Sequence, residues 1–303
     1  MPATDLSLRL RNRLEAIGLD AAGSLFRSMD VDRASALGGR LWRRFAPLSR
    51  RHARALVNLQ IAFPELDAYA RRAIALDMWE NLGRVLAESF HMPAIAADAS
   101  RIDTTRGAIL ETVRASGRGA VLASLHTGNW ELGAQVAMRF GLSPAGVYQT
   151  VRNPHVEALF RTLRAAWYPA GLHARQRDGA QTAMKLIGIV RRGGTIAIMG
   201  DLRDAAGVEV PFFGRPTWAT PFPAMVARAL DVPLVAARMI RTGGVRFDID
   251  AVEVAVPRSD DREGDIRAGT AALQATYEGW IREYPGQWFW IHRKWAPPGD
   301  RAR

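Results

Sequence analysis

Beyond residue 105, short β-rich runs alternate with longer segments of helical periodicity. Apolar runs at residues 119–125, 145–151, 195–199 and 232–240 have the length and composition of buried strands. Residues 131–140, 154–167, 179–192 and 221–230, which lie between them, carry apolar side chains at helical spacing. This alternation predicts an α/β fold with a central, mostly parallel sheet flanked by helices. Residues 246–256 alternate apolar and charged side chains, which predicts an edge strand or hairpin with one wet face.

The first hundred residues differ in character. Leu6, Leu10, Leu14 and Ile17 recur at helical spacing, and a second amphipathic helix is predicted over residues 33–45. Residues 1–54 contain eleven arginines and five acidic residues, a local net charge of +6. Such segments suit the surface of an anionic membrane, with an ordinary surface helix as the alternative. We predict a helical, membrane-associating region over residues 1–104 that packs on an α/β core over residues 105–303, both within one structural unit.

Composition removes several classes of protein. Cysteine is absent, so a thiolate nucleophile, a disulfide scaffold and a cysteine-ligated metal are excluded. The net charge of +11 attracts nucleic acid, anionic lipid or an acidic carrier protein. No apolar run reaches the ~20 residues of a membrane-spanning helix, so peripheral or monotopic attachment is expected. No metal is expected, because His52, His91, His155 and His173 lack paired ligand spacing. His292 lies in the aromatic block Trp288-Phe-Trp-Ile-His-Arg, which is expected to pack the core.

His126 directly follows the apolar run that ends at Leu125. It would project from the carboxyl end of a buried strand, where open α/β sheets bind their ligands. Asn129 is a candidate helix N-cap, and Glu131 would lie in the first helical turn. We predict that Glu131 contacts one imidazole nitrogen while the other takes a proton from a substrate hydroxyl. The alternative is that His126 and Glu131 only cap a helix.

The segment His126-Thr-Gly-Asn-Trp-Glu131 resembles the H-x₄-[D/E] motif of the lysophospholipid acyltransferase superfamily. Its Gly-Asn-Trp-Glu portion resembles one branch, the bacterial lipid A biosynthesis acyltransferases, which includes lauroyl and myristoyl transferases and relatives that acylate phosphatidylinositol mannosides. Further blocks match that branch in order between residues 50 and 295. They are Arg54-Ala-Leu-Val-Asn58-Leu59 with Ala62-Phe63-Pro64, Trp79-Glu-Asn81-Leu-Gly83-Arg84 with Glu88, Gly194-Thr-Ile-Ala-Ile-Met-Gly200-Asp201, Pro211-Phe-Phe-Gly214, Val232-Pro233-Leu-Val and Gln287-Trp-Phe-Trp290-Ile-His292-Arg293.

The resemblance implies an O-acyltransferase of lipid A, and hence lipopolysaccharide, biosynthesis. The donor would be an acyl carrier protein or coenzyme A thioester, and the acceptor a hydroxyl of a phosphorylated glycolipid, first of all a lipid A precursor. Transfer would be direct, since neither cysteine nor a G-x-S-x-G elbow supports an acyl-enzyme. No resident cofactor is expected, and the expected location is the cytoplasmic face of the bacterial inner membrane.

Three alternatives stay open beside this reading. The acceptor is another glycolipid or a lysophospholipid; the same His-Glu pair hydrolyses a lipid ester or thioester; or the chain is a non-catalytic basic protein that binds lipid or nucleic acid. No recognisable nucleic-acid motif is present, so a nucleic-acid partner is not expected. Gly214, in Phe-Phe-Gly-Arg-Pro, is interpreted as a turn glycine.

The predicted substrate-binding residues share a capacity to hold a polar or phosphorylated group. They are Asn129, Arg152, Arg161, Arg164, Asp201 and Arg203. An arginine near the position of Arg164 binds the polar substrate in the resembled family, and in the wider superfamily the turn that holds Asp201 helps to bind the acceptor's phosphate. Leu202 departs from the family, where the acid is often followed by glutamine. A solvated helix face for the arginines, and an acid that only caps the next turn, are the alternatives.

Overall fold

A computed structural model of the chain describes residues 3–148, 150–151, 153–174 and 179–295. The α-helices in these ranges are α1 Ala3–Arg27, α2 Val31–Phe45, α3 Arg50–Ala62, α4 Ala68–Glu88, α5 Met92–Ala97, α6 Ile109–Ser116, α7 Gly133–Arg139, α8 Pro154–Ala165, α9 Gly179–Arg191, α10 Phe222–Leu230 and α11 Arg262–Glu283. Short 3₁₀ helices lie at Ala46–Leu48, Ala99–Arg101, Thr105–Gly107, Trp130–Leu132 and Pro285–Gln287.

The strands are β1 Ile102–Asp103, β2 Ala120–Ser124, β3 Pro144–Tyr148, β4 Leu172–Ala174, β5 Thr195–Met199, β6 Arg203–Phe212, β7 Arg215–Ala219, β8 Leu234–Gly243 and β9 Arg246–Glu253. Seven of them form one sheet in the order β1-β9-β8-β2-β5-β3-β4. Its neighbouring strands are parallel except for β8 and β9, which form an antiparallel hairpin. The predicted α/β fold with a mostly parallel sheet is confirmed.

Residues 246–256 were predicted as an edge strand or a hairpin. The hairpin is present, but β9 is not the edge, because the two residues of β1 pair along its outer side. A second, antiparallel sheet is formed by β6 and β7, which the sequence pattern did not predict. Phe213 and Gly214 join these strands with positive φ values of 52° and 67°. Two such residues in succession form the tight turn whose twist matches a hairpin, which explains the glycine.

The N-terminal helices meet through glycines. Gly38 of α2 and Gly83 of α4 lie so close that a Cβ built on Gly38 would be 2.4 Å from the Gly83 carbonyl oxygen. A Cβ built on Gly83 would likewise be 2.2 Å from the Gly38 oxygen. The backbones of the two helices therefore touch, which fixes how α4 approaches the rest of the molecule.

Helix α1 presents apolar side chains to the surface. Leu10, Leu14 and Ile17 are 58%, 60% and 63% exposed, and their spacing places them on one face of the helix. Within the described ranges, every helix is too short or too polar to cross a membrane.

We predict that Gly83→Ala lowers the free energy of unfolding by about 1–3 kcal/mol or more, because the new methyl group overlaps the backbone of α2. Thermal and urea denaturation of the purified variant would measure the loss. The matched control is Gly18→Ala in α1, where no heavy atom lies within 4 Å of the added Cβ. That change is expected to be neutral or slightly stabilising, because alanine favours helix; equal losses in both variants would contradict the close contact.

Candidate active site

The parallel register of β2 and β5 brings His126 and Asp201 together. Ser124 pairs with Met199, and the backbone N–H of Gly200 donates to the Ser124 carbonyl at 2.8 Å. His126 and Asp201 each lie two residues beyond that pair, at the carboxyl ends of neighbouring strands. Nδ1 of His126 is 2.8 Å from Oδ1 of Asp201, and the His126 backbone N–H donates to Oδ2 at 2.9 Å. The carboxylate therefore holds both the ring and the main chain of the histidine.

Asp201 is fully buried, and its carboxylate is saturated with donors. Trp288 donates its indole N–H to Oδ2 at 2.9 Å, in addition to the two contacts from His126. Burial opposes ionisation, but the positive charge of His126 and its hydrogen bonds outweigh that cost and hold the pKa of Asp201 well below its usual range. An ionised Asp201 selects the tautomer with the proton on Nδ1. The other ring nitrogen, Nε2, is left to accept a proton.

Glu131 does not hold the imidazole as the sequence analysis predicted. Its two carboxylate oxygens accept from Arg164, with Nε to Oε2 at 2.8 Å and Nη2 to Oε1 at 2.5 Å. The indole N–H of Trp130 also donates to Oε1, at 3.2 Å. The planar fork of a guanidinium matches a carboxylate better than one imidazole nitrogen does. The carboxylate that orients His126 is therefore Asp201, and Glu131 orients Arg164.

Asn129 supports the turn between β2 and α7 from inside the protein. Its Oδ1 accepts the Glu131 backbone N–H at 3.2 Å, which is the predicted N-cap, and its Nδ2 donates to Glu88 at 2.8 Å. The side chain is 0% exposed. Both polar atoms of the buried Asn129 side chain are thus engaged within the protein, and its assignment as a substrate-binding residue stays a prediction.

Beneath Asn129 lies a buried ion pair between α4 and β8. Arg241 donates from Nη1 and Nη2 to the two oxygens of Glu88 at 2.6 and 2.9 Å, and Ser35 of α2 donates to the same carboxylate at 2.6 Å. Arg241 also donates through Nε to Asn81 Oδ1 at 2.9 Å, and Asn81 donates to the Gly128 carbonyl at 2.8 Å. The network thus holds Gly128 and Asn129, two successive residues of the turn that follows His126.

Gly128 has no room for a side chain. Its φ is +54°, and a Cβ would lie 2.3 Å from the carbonyl oxygen of Met239 in β8. Glycine adopts this backbone conformation without strain, and its lack of Cβ lets the turn rest directly on β8. The position explains why the motif carries glycine here.

A cavity of about 570 Å³ opens beside His126. His126, Glu131 and Arg164 line it together with Trp130. The rest of its wall is mostly apolar and comes from β3, β4, β5, α9, α10 and the neighbouring turns. It includes Val147, Leu172, Ala183, Leu186, Ile198, Met199, Phe222 and Met225. An apolar cavity with a few convergent polar groups at a sheet edge is the usual form of a ligand site in such folds.

The predicted arginines differ in their distance from this cavity. Arg161 lies on the exposed face of α8, whereas Arg164, one turn later, is half-buried against the cavity. Arg203 begins β6, and its neighbours Leu202 and Asp204 line the cavity. Arg152 lies outside the described residues.

Several site residues were missed in the sequence analysis. Trp288 and Lys294 both contact Asp201. The aromatic block that holds Trp288 was expected to pack the core, and Lys294 was given no role. Glu88 appeared in a family-like block, but no role was given to it, and the Arg241 partner carries no local signal. Glu88 follows Asn81 by seven residues, which places both on the same face of a helix, and this spacing was the clue available from the sequence.

The chain matches the model of the family "Bacterial lipid A biosynthesis acyltransferase" over residues 17–296. It is 27% identical to a phosphatidylinositol mannoside acyltransferase of Mycobacterium tuberculosis over 240 residues, 74% of this chain and 71% of that protein. It is 27% identical to the lipid A biosynthesis lauroyltransferase of Escherichia coli over 257 residues, which cover 81% and 80% of the two chains. The E. coli lipid A biosynthesis myristoyltransferase is 26% identical over 273 residues, which cover 86% and 80%. The family match includes both His126 and Asp201.

We predict that Glu88→Gln lowers the free energy of unfolding by about 3–5 kcal/mol, because it leaves the guanidinium of Arg241 without its buried counter-charge. Denaturation in urea measures the loss. Glu80→Gln is the matched control, since Glu80 lies on the same helix and also binds an arginine, Arg84, at 2.7 Å but is partly exposed. That change should lower the free energy of unfolding by about 1 kcal/mol or less. A similar loss at both positions would show that burial does not increase the contribution of the Glu88–Arg241 pair.

Proposed function

Because this chain belongs to the bacterial lipid A biosynthesis acyltransferase family, we propose that it moves a fatty acyl chain from a thioester of acyl carrier protein or coenzyme A to a hydroxyl of a phosphorylated glycolipid. A lipid A precursor is the first acceptor to test, since the family and two of its relatives are named for lipid A. The mycobacterial relatives are named for phosphatidylinositol mannoside, which makes a mannosylated phospholipid the second acceptor. The observation that carries the proposal is the His126–Asp201 pair, whose histidine lines a largely apolar cavity.

In the proposed mechanism, Nε2 of His126 removes the proton of the acceptor hydroxyl as the oxygen attacks the thioester carbonyl carbon. The tetrahedral intermediate then collapses, the carbon–sulfur bond breaks, and the imidazolium returns its proton to the thiolate. Asp201 stabilises the imidazolium through Nδ1. General-base catalysis of this kind contributes ~10²–10⁴ in rate.

The cavity is suited to the acyl chain of the donor. Its apolar wall removes a hydrocarbon chain from water, which stabilises the bound donor in proportion to the area buried. The polar groups His126, Glu131 and Arg164 share this cavity with the apolar wall, so a chain seated in it would bring its carbonyl near the base.

Arg164 is the candidate for holding negative charge in the site. Glu131 fixes its guanidinium by two hydrogen bonds, so that the arginine is ordered before substrate binds. A fixed donor of this kind stabilises a developing oxyanion or a bound phosphate without reorganisation. Since Asn129 is engaged elsewhere, Arg164 and backbone N–H groups are the remaining candidates for the oxyanion.

We predict that His126→Ala and Asp201→Asn each lower kcat by about 10²–10⁴, because both remove the proton acceptor or its stabilising charge. The measurement is acyl transfer from lauroyl and myristoyl thioesters to the two glycolipid acceptors, followed by mass spectrometry. His155→Ala, an exposed histidine of α8, is the matched control and should keep wild-type activity. If His126→Ala folds normally and retains near-wild-type transfer, the mechanism is wrong.

The same assay separates a transferase from a hydrolase. A hydrolase would use Nε2 to activate water, and free fatty acid would then dominate even with acceptor present. The proposal requires that the acylated glycolipid dominates. If neither acceptor is acylated but the donor is consumed, the hydrolase becomes the better assignment.

We also propose that the protein acts at the cytoplasmic face of the inner membrane and attaches peripherally or monotopically. The exposed apolar face of α1 and the basic residues of the first two helices support this, because such helices bury their apolar side in an anionic lipid interface. Asn153, which caps α8, donates to the Asn12 carbonyl of α1 at 2.8 Å. The apolar face is therefore carried next to the helix that bears Arg164.

We predict that replacing Leu14 and Ile17 by glutamate abolishes sedimentation of the protein with vesicles of phosphatidylglycerol and phosphatidylethanolamine, because charge on the apolar face opposes its burial in lipid. Tyr69→Glu is the control, since Tyr69 is also exposed, at 83%, but lies on α4. Equal vesicle binding by the wild type and the double variant would contradict docking through α1.

A further inference from the structure

Lys294 is a fully buried lysine next to the candidate catalytic pair. Its side chain is 0% exposed, and its Nζ donates to the Asp201 carbonyl oxygen at 2.7 Å and to Gln274 Oε1 at 2.7 Å. Nζ also lies 4.4 Å from the centre of the Phe212 ring. Lysine is almost never fully buried without a partner, since removing an ammonium from water is costly. We therefore expect this buried lysine to contribute to the arrangement around Asp201.

Lys294 and Gln274 together hold the main chain of the turn that carries Asp201. Gln274 of α11 donates through Nε2 to the Gly200 carbonyl at 2.9 Å, so two successive carbonyl groups are fixed by this pair of side chains. Trp288 holds the carboxylate itself. The aspartate is thus fixed at both its backbone and its side chain, which sets its distance to Nδ1 of His126.

Lys294 also adds a positive charge to the buried side chains around Asp201. Burial lowers the pKa of Lys294 to about 7, against the attraction of Asp201. The neighbouring His292 is kept neutral, because burial and the charge of His126 lower its pKa to about 3. Tyr277 of α11 is likewise neutral, since burial and the charge of Asp201 raise its pKa. At mildly acidic pH, where histidines gain protons, Lys294 is therefore already charged.

The charge balance follows from these groups. Asp201 supplies one negative charge, and the charged ammonium of Lys294 offsets it while His126 is neutral. When His126 takes a proton, two cations share a single buried carboxylate. Repulsion between like charges in a medium of low dielectric is strong, and it favours the neutral imidazole.

We propose that Lys294 is a positioning residue that holds the Asp201 turn, and that its buried ammonium, when charged, opposes protonation of His126. This inference rests on the proposed function in that His126 is taken as the base. It adds a third group to the His126–Asp201 pair, and it acts through Asp201 rather than on substrate.

The first test is the pH profile of acyl transfer. In Lys294→Met, the acidic limb of kcat/KM should move to higher pH by about one unit or more, because the imidazolium loses a repelling charge. Activity at neutral pH should fall and recover on the alkaline side. Lys294→Arg keeps the charge and should keep the limb near its wild-type position.

The matched control for local damage is Thr217→Val. Thr217 is buried and donates to the backbone carbonyl of Lys294 at 2.7 Å, so its loss disturbs the same segment without changing charge. Its acidic limb should coincide with that of the wild type. If the limb of Lys294→Met also coincides with the wild type, or if Thr217→Val moves as far, the charge role of Lys294 is wrong.

A second measurement needs no substrate. The protein contains six histidines, so the ring of His126 can be followed by NMR in histidine-labelled protein and assigned by its loss in His126→Gln. Its titration midpoint should rise in Lys294→Met, and an unchanged midpoint would overturn the proposal. This readout stands even if wild-type protein transfers no acyl group, which would reject the proposed function alone.

Gln274→Glu covers the case in which Lys294→Met does not fold. It places a carboxylate on Nζ and cancels the charge that His126 experiences, while the lysine stays in place. The midpoint of the His126 titration must again rise. A midpoint equal to that of the wild type in this variant would also overturn the proposal.

Discussion

The buried carboxylate of Asp201 is the interaction on which the arrangement of this molecule depends. An unpaired carboxylate in this position would be prohibitively costly, so its donors must arrive from several parts of the chain at once. His126, in the turn after β2, and Trp288, near residue 290, donate to the carboxylate. Lys294 donates to the backbone carbonyl of Asp201, and Gln274 of α11 donates to the carbonyl of Gly200. Each of these contacts can form only when the sheet, the long C-terminal helix and the final aromatic block are in their places. The site and the core are therefore a single cooperative unit.

A second buried carboxylate, that of Glu88, performs a different task. It lies under the turn of residues 127–129 and joins α2, α4 and β8 to Asn129. Asp201 orients the imidazole of His126, and Glu88 sets the path of the backbone turn that follows this histidine. Separating these tasks lets the turn be rigid although it contains residues with little regular structure of their own. Buried polar networks in which every member is satisfied rigidify a site in this way.

Much of the framework follows from local pattern. The strand at residues 195–199 coincides with β5, and His126 and Asp201 lie at one sheet edge because parallel strands end at the same edge. Their direct contact was not predictable, because it requires β2 to pair with β5 rather than with β3, and periodicity does not give strand order. The hairpin of β6 and β7 was missed because Asp204, Gly207 and Pro211 interrupt any alternating pattern in β6. Glu131 was assigned to the nearest histidine in sequence, whereas its partner is Arg164, which lies 33 residues away.

The position of the closing segment has a consequence for the timing of synthesis. A chain emerges from the ribosome from its N-terminus onward, and its domains begin to fold as they emerge. The strands that bear His126 and Asp201 are made well before Trp288 and Lys294, which complete the surroundings of the carboxylate. Until residue 294 has been released, Asp201 lacks these two donors. Under the proposed function, a nascent chain therefore lacks an assembled catalytic centre, and a partly made chain would not acylate a lipid even where its first helix already bound one.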